Sequence, residues 1–252
     1  MNINIEPNDL SILLYTAHEN GALWKGFNSV PCTICRDILE QAKDVVLVRD
    51  HFHGSDLGAC ARKIFMTMTN GKSDSGFNNM TFLLDGHLHE SSMLKNIEAG
   101  LPDDWRVKIL ENNTEQITEL MGFKLVTHFD AFLIDKKNGV EYILECKAVK
   151  PKYFKEIADK EQIRDEWYGQ GQAYMLVSNI NQMIYLIKNR EDSKIMFPIV
   201  VNKNMEYIAS RLMKLGEIYH RIKNGMNWPD REEESKKAFQ CTFCQWKDEC
   251  WA

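Results

Sequence analysis

Two carboxylates, one lysine and a set of cysteines are the residues of this chain best suited to chemistry. In "LECKAVK" (144–150), Glu145 and Lys147 are two residues apart, inside a run that otherwise reads as a buried strand. Side chains alternate along a strand, so these two share one face while Cys146 and Leu144 share the other. Asp130, in "THFDAFLID", stands between Phe129 and Ala131. The turn "KKNG" (136–139) predicts a hairpin that lays the strand of Asp130 beside that of Glu145. Buried acids are costly unless paired or bound to a metal. Asp130 and Glu145 together make a hard oxygen site suited to Mg²⁺ or Mn²⁺. An ion there would engage a phosphate oxygen and acidify a water, with Lys147 holding that water or offsetting transition-state charge. The plain alternative is a Glu–Lys pair on a half-exposed strand.

The C-terminus carries "CTFCQWKDEC", with Cys241, Cys244 and Cys250 in ten residues. Such a cluster in a cytosolic chain points to a metal centre and not to disulfides. The fourth thiolate must come from Cys60, Cys146 or the pair Cys32/Cys35. Zinc held by Cys32, Cys35, Cys241 and Cys244 is one solution.

The elements that must position these groups follow from periodicity. Helices are expected over 8–25, 55–68, 80–99, 161–178 and 203–224. Strands are expected at 44–48, then at "WRVKIL", "FKLVTHFDAFLID" and "VEYILECKAV", and again at "QMIYLIKN" and "KIMFPIVV". The order implies an α/β fold with a mixed central sheet flanked by helices.

Three further motifs give the carboxylates a context. "GHLHE" (86–90) places His89 and Glu90 on a helix, "QGQAY" (170–174) sets Gln170 and Tyr174 one turn apart, and "SDLGACAR" spaces Ser55, Cys60 and Arg62. With Asp130 and Glu145-Cys146-Lys147, in this order, the chain resembles the PD-(D/E)XK nuclease superfamily. It is most similar to the RecB-like branch carrying an iron–sulfur cluster, which includes CRISPR-associated RecB-like exonucleases and the AddB nuclease domain. The resemblance covers residues 55–252 and implies a restriction-endonuclease-like core. It implies that His89 joins Asp130, Glu145 and the backbone carbonyl of Cys146 as metal ligands, and that Gln170 and Tyr174 support catalysis. It implies a [4Fe–4S] cluster on Cys60, Cys241, Cys244 and Cys250, and a nucleic-acid contact at Arg62. The divisions expected are 1–54 as an accessory segment, 55–225 as the nuclease core, and 226–252 as a tail folding back on the 55–68 helix.

Composition bounds the rest. The chain has 252 residues, a net charge of −5 and 44% hydrophobic residues. That suits one sizeable core and excludes a uniformly basic nucleic-acid coat, though not a local groove. In "VKPKYFKE", Lys150 and Lys152 precede two aromatics, a composition able to line a single-strand channel. No apolar run is long enough to span a bilayer. The opening "MNINIEPNDL" lacks a secretory pattern, so a bacterial or phage-infected cytosol is the default expectation. The expected activity is metal-dependent exonucleolytic cleavage at DNA ends, for recombination, end processing or CRISPR adaptation. DNA, with a free and single-stranded end, is the expected substrate. A helicase, recombinase or integrase would supply unwinding or direction, and a ring-shaped oligomer would make the enzyme processive. Two other classes stay open: a nuclease fold kept only for binding, and a zinc-binding interaction protein.

Overall fold

The computed structural model describes residues 49–71, 77–110, 115–192, 196–242 and 244–252. The expected helix at 8–25, the strand at 44–48 and the Cys32/Cys35 pair lie outside them. Contacts divide the chain into two compact units, 1–45 with 74–85, and 46–73 with 86–252. Everything below belongs to the second unit, apart from residues 77–85 of one helix.

Its first element is the short strand β1 (Phe52–His53), followed by a 3-10 turn at Gly54–Gly58 and helix α1 (Ala61–Asn70). The helix expected over 55–68 is therefore two pieces, because Ala59 and Cys60 are both extended. Helix α2 (Phe77–Gly100) follows, then strands β2 (Trp105–Ile109), β3 (Gln116–Leu120) and β4 (Phe123–Thr127). Next come β5 (Ala131–Asp135), β6 (Val140–Val149), α3 (Pro151–Lys160) and α4 (Asp165–Val177). The chain closes with β7 (Gln182–Asn189), β8 (Met196–Asn202), α5 (Met205–Lys223) and two short helices, α6 (Phe239–Thr242) and α7 (Lys247–Trp251).

The central sheet is mixed, in the order β2-β5-β6-β7-β8. Strands β6 and β7 run parallel and the other neighbours antiparallel. A second sheet has the order β1-β4-β3. The expected strand "FKLVTHFDAFLID" is thus two strands in two different sheets, β4 and β5, with His128, Phe129 and Asp130 at the switch. Strand β3 was not expected at all. It enters β4 through Met121 and Gly122, both at positive φ (51° and 82°), and methionine is a poor signal for such a turn.

Helices cover both faces of the central sheet. On one, Met93 and Leu94 of α2 pack on Val107, Ala131, Leu144, Cys146 and Leu186. On the other, Ile157 of α3 and Tyr174 and Met175 of α4 pack on Ile143, Tyr185 and Ile187. The second sheet closes its own core against α1 and α5, with Phe52, Ile64, Leu125, Leu215 and Ile218. No described helix is long and apolar enough to cross a membrane.

Helix α4 is fixed in position by backbone contact. A Cβ built on Gly169 would lie 2.4 Å from the Cα of Gly58, and one on Gly58 would lie 2.6 Å from the carbonyl oxygen of Glu166. Only two glycines allow the 3-10 turn to approach the helix this closely. Gly169→Ala is expected to cost about 1–3 kcal/mol through overpacking against backbone. Urea denaturation reads this directly, and an unchanged midpoint would show that the contact is not tight.

Candidate active site

The register of β5 and β6 pairs Ala131 with Leu144, so Asp130 lies one step further along, beside Glu145. Asp130 precedes β5 and is not mid-strand as expected, but its carboxylate is still held at the sheet. The Cys146 amide donates to its Oδ2 at 2.6 Å. Glu145 is 3% exposed, and the Lys147 ammonium donates to its Oε1 at 2.6 Å. Its Oε2 is buried with no hydrogen-bond partner. Leu144 and Cys146 enter the α2-side core, so alternation turns Glu145 and Lys147 towards α4.

Electrostatics show what this arrangement lacks. Burial, the Glu145 charge and the Glu90 charge push Asp130 well above its ordinary 3.8. Burial also raises Glu145, against the lowering effect of Lys147, and Glu90 adds to the rise. Lys147 is held above its ordinary value by Glu145, Asp130 and Glu90, which together outweigh its own desolvation. One ammonium thus serves three acids. A buried carboxylate oxygen without a partner, beside a second carboxylate that resists ionisation, is a cation-deficient oxygen site. The set of Asp130, Glu145 and the Cys146 carbonyl fits a hard divalent ion, which takes one or two carboxylates and retains waters. Among the described residues, no three His, Cys, Asp or Glu side chains are gathered into a group able to hold a metal ion. His89 is partly buried on α2, next to Glu90, and does not close a triad with Asp130 and Glu145. Glu90 is the α2 residue whose charge reaches the site.

Gln170 and Tyr174 lie on α4 and bond to each other, amide nitrogen to phenol oxygen. Tyr174 is 3% exposed and packs on Phe129, with ring centroids 5.7 Å apart. Trp167, one turn before Gln170 on α4, was not singled out in the sequence. Its ring centroid is 5.8 Å from the Lys147 ammonium, and its carbonyl accepts from the Tyr185 hydroxyl. Spacing from Gln170 was the signal available for it.

The cysteines separate into two groups. Cys146 is buried in the core, and burial pushes its thiol far up. Cys60, Cys241, Cys244 and Cys250 are unbridged and line one recess, together with Arg62, Lys63, Trp246 and Lys247. The segment after 226 is tied to α1. The Trp246 indole donates to Thr67 Oγ1 at 2.9 Å, and Glu232 accepts from the Ala61 amide at 3.1 Å and from Lys214 at 3.2 Å. Arg62 is placed differently from the expectation. It is 8% exposed and donates to the Pro229 carbonyl at 2.9 Å and the Cys250 carbonyl at 3.3 Å. A guanidinium enclosed this way ties the tail down and does not face a nucleic acid. Lys150 and Lys152 are exposed where α3 begins.

No family model matches the chain, and no curated protein matches it in sequence. Among solved structures, the fold is similar to that of SSO0001, with a TM-score of 0.53 at 12% identity, over 88% of this chain and 98% of that one. An alkaline exonuclease from Laribacter hongkongensis overlays with a TM-score of 0.48 at 10% identity, over 70% of this chain and 89% of that one. A phage-related exonuclease from Haemophilus somnus 129PT gives 0.46 at 14% identity, over 66% and 82%. At these identities the likeness is one of fold.

The raised carboxyl pKa values give a pH dependence. Folded Asp130 holds its proton more tightly than the unfolded chain does. The metal-free protein should therefore lose stability as pH rises from the ordinary carboxylate range through the raised value. Asp130→Asn keeps an acceptor for the Cys146 amide and should flatten that loss. Melting temperatures in chelator across a pH series test this, and an identical slope in the variant would contradict it.

Proposed function

We propose that this chain is a divalent-metal-dependent nuclease that hydrolyses phosphodiester bonds, acting on DNA from its ends. The observation that carries the reading is the unpartnered Glu145 Oε2, buried beside Asp130 while Lys147 occupies the other Glu145 oxygen. Asp130, Glu145 and the Cys146 carbonyl would hold the ion, with waters completing its shell. When bound, Mg²⁺ or Mn²⁺ supplies Lewis acidity toward a phosphate oxygen and toward water.

The protein groups have separable tasks. The Cys146 amide fixes the carboxylate of Asp130. Lys147 carries the positive charge nearest the carboxylates. It is placed to orient a water nucleophile and to offset charge that accumulates on phosphorus-bound oxygens. Gln170 fixes the Tyr174 phenol, and Tyr174 in turn buttresses Phe129 beside Asp130. His89 is proposed as an outer partner on the α2 side of the site. Exposed Lys150 and Lys152 would neutralise backbone phosphates of the incoming strand. Pre-formed single strands, or strands opened by a helicase partner, would be the substrate.

The test is digestion of 5′- and 3′-labelled DNA, single- and double-stranded, with Mg²⁺, Mn²⁺ or chelator. Cleavage should require metal. It should fall on the order of 100-fold or more in both Glu145→Ala and Lys147→Ala. Product ladders then give polarity. Cleavage that survives Glu145→Ala would falsify the assignment of the carboxylates. Intact DNA with a folded, metal-loaded wild type would favour a binding module.

We also assign a [4Fe–4S] cluster to Cys60, Cys241, Cys244 and Cys250. What supports this is that the four thiols line one recess, though not drawn together into a ligand group there, with Arg62, Lys63 and Lys247 able to offset thiolate charge. The role is structural, closing the tail onto α1. Anaerobic purification should give iron and sulfide, and Cys250→Ser should lower both together with the melting temperature. Zinc without iron would replace this assignment with a tetrahedral zinc site.

A further inference from the structure

The recess lined by the four thiols is short of oxygen acceptors. Among the described residues that line it, Gln240 alone has a side-chain oxygen. The other side-chain acceptors there are sulfurs, and Arg62, Lys63 and Lys247 bring donors only. Two tryptophans line the same recess. The Trp246 indole is committed to Thr67 Oγ1 at 2.9 Å. The Trp251 indole is not: its Nε1 is buried and has no hydrogen-bond partner.

Trp251 is held in place from two sides. It follows Cys250 directly, at the end of α7. The Arg231 guanidinium lies over its ring, 4.6 Å from the centroid, while Arg231 Nε donates to the Cys250 carbonyl at 2.9 Å. Arg62 donates to the same carbonyl, and its Nη1 lies 3.7 Å from Cys250 Sγ. Chain connectivity and this stack thus keep the indole close to the last of the four cysteines. A buried N–H without an acceptor costs folding energy. A neutral thiol is a weak acceptor and answers that cost poorly. A metal-bound thiolate or an inorganic sulfide carries charge and accepts far better.

We propose that Trp251 donates its indole N–H to a sulfur of the cluster held by Cys60, Cys241, Cys244 and Cys250, and that this hydrogen bond raises the cluster's reduction potential. The proposal rests on the iron–sulfur reading above and deepens it, by assigning a residue that tunes the cluster without ligating it. A hydrogen bond draws electron density from sulfur, so it favours the more negative, reduced state.

The experiment uses the full chain, purified without oxygen and labelled with ¹⁵N at its tryptophan indoles. One indole proton should be hyperfine-shifted in the wild type, and that signal should be missing from Trp251→Phe. Trp251→Phe keeps an aromatic ring for Arg231 to cover. It should retain iron and sulfide, and its midpoint potential should fall. Trp246→Phe, whose indole serves Thr67, should melt at a lower temperature with its potential unchanged. If none of the six indole protons is shifted in iron-loaded wild type, the hydrogen bond is overturned, and this readout needs no variant to fold. A wild-type potential in Trp251→Phe would overturn it too, as would an equal fall in Trp246→Phe. A wild type that carries zinc, or no metal, overturns the iron–sulfur reading and the hydrogen bond with it. Metal and sulfide analysis identifies that outcome before any spectrum is taken.

Discussion

Asp130 and Glu145 sit side by side in a low-dielectric setting that penalises their charges, with one ammonium to share. Each carboxylate is raised by its own desolvation, and Glu90 on α2 adds a third negative charge to the same region. The Cys146 amide and Lys147 satisfy one oxygen of each acid, and Glu145 Oε2 is left without a partner. Such a group is tolerated only if the surrounding packing enforces it, because it costs folding energy that a neutral pair would not.

The packing does enforce it. Glu145 lies on the central strand β6, hydrogen-bonded on both sides by β5 and β7, so it has no freedom to withdraw. Asp130 is delivered by the chain's passage from one sheet to the other. Helix α4 is pressed onto the 3-10 turn at Gly58 and Gly169, which sets the height of Gln170 and Tyr174 against the strand. Rigid elements on three sides thus hold an arrangement that is electrostatically unfavourable by itself.

A second tie acts at a distance from the acids. Arg62, Thr67 and the Ala61 amide on α1 hold the segment after 226 through Pro229, Trp246, Glu232 and Cys250. Helix α1 and the 3-10 turn share a core with β4 and α5. Loss of the tail would therefore be felt in the same packing that seats α4.

The sequence by itself determined which face each strand residue takes. The alternation in "LECKAVK" put Glu145 with Lys147 and Cys146 with Leu144, because the period of a strand is fixed by backbone geometry alone. The hairpin at 136–139, the strands β6 and β7 and the long helix α5 were legible for the same local reason. The spacing of Gln170 and Tyr174 was legible because helical turns are local too. Tertiary structure decided what local rules do not reach. It split "FKLVTHFDAFLID" between two sheets, since a continuous apolar run carries no mark of which partners it will find. It hid β3 behind a Met-Gly turn. It turned Arg62 inward, because a guanidinium's environment depends on where the distant segment after 226 comes to rest. It brought Glu90 into the field of the acids and set Trp167 beside Lys147. Those contacts join residues far apart in the chain, and only the packing of α2 and α4 on the sheet creates them.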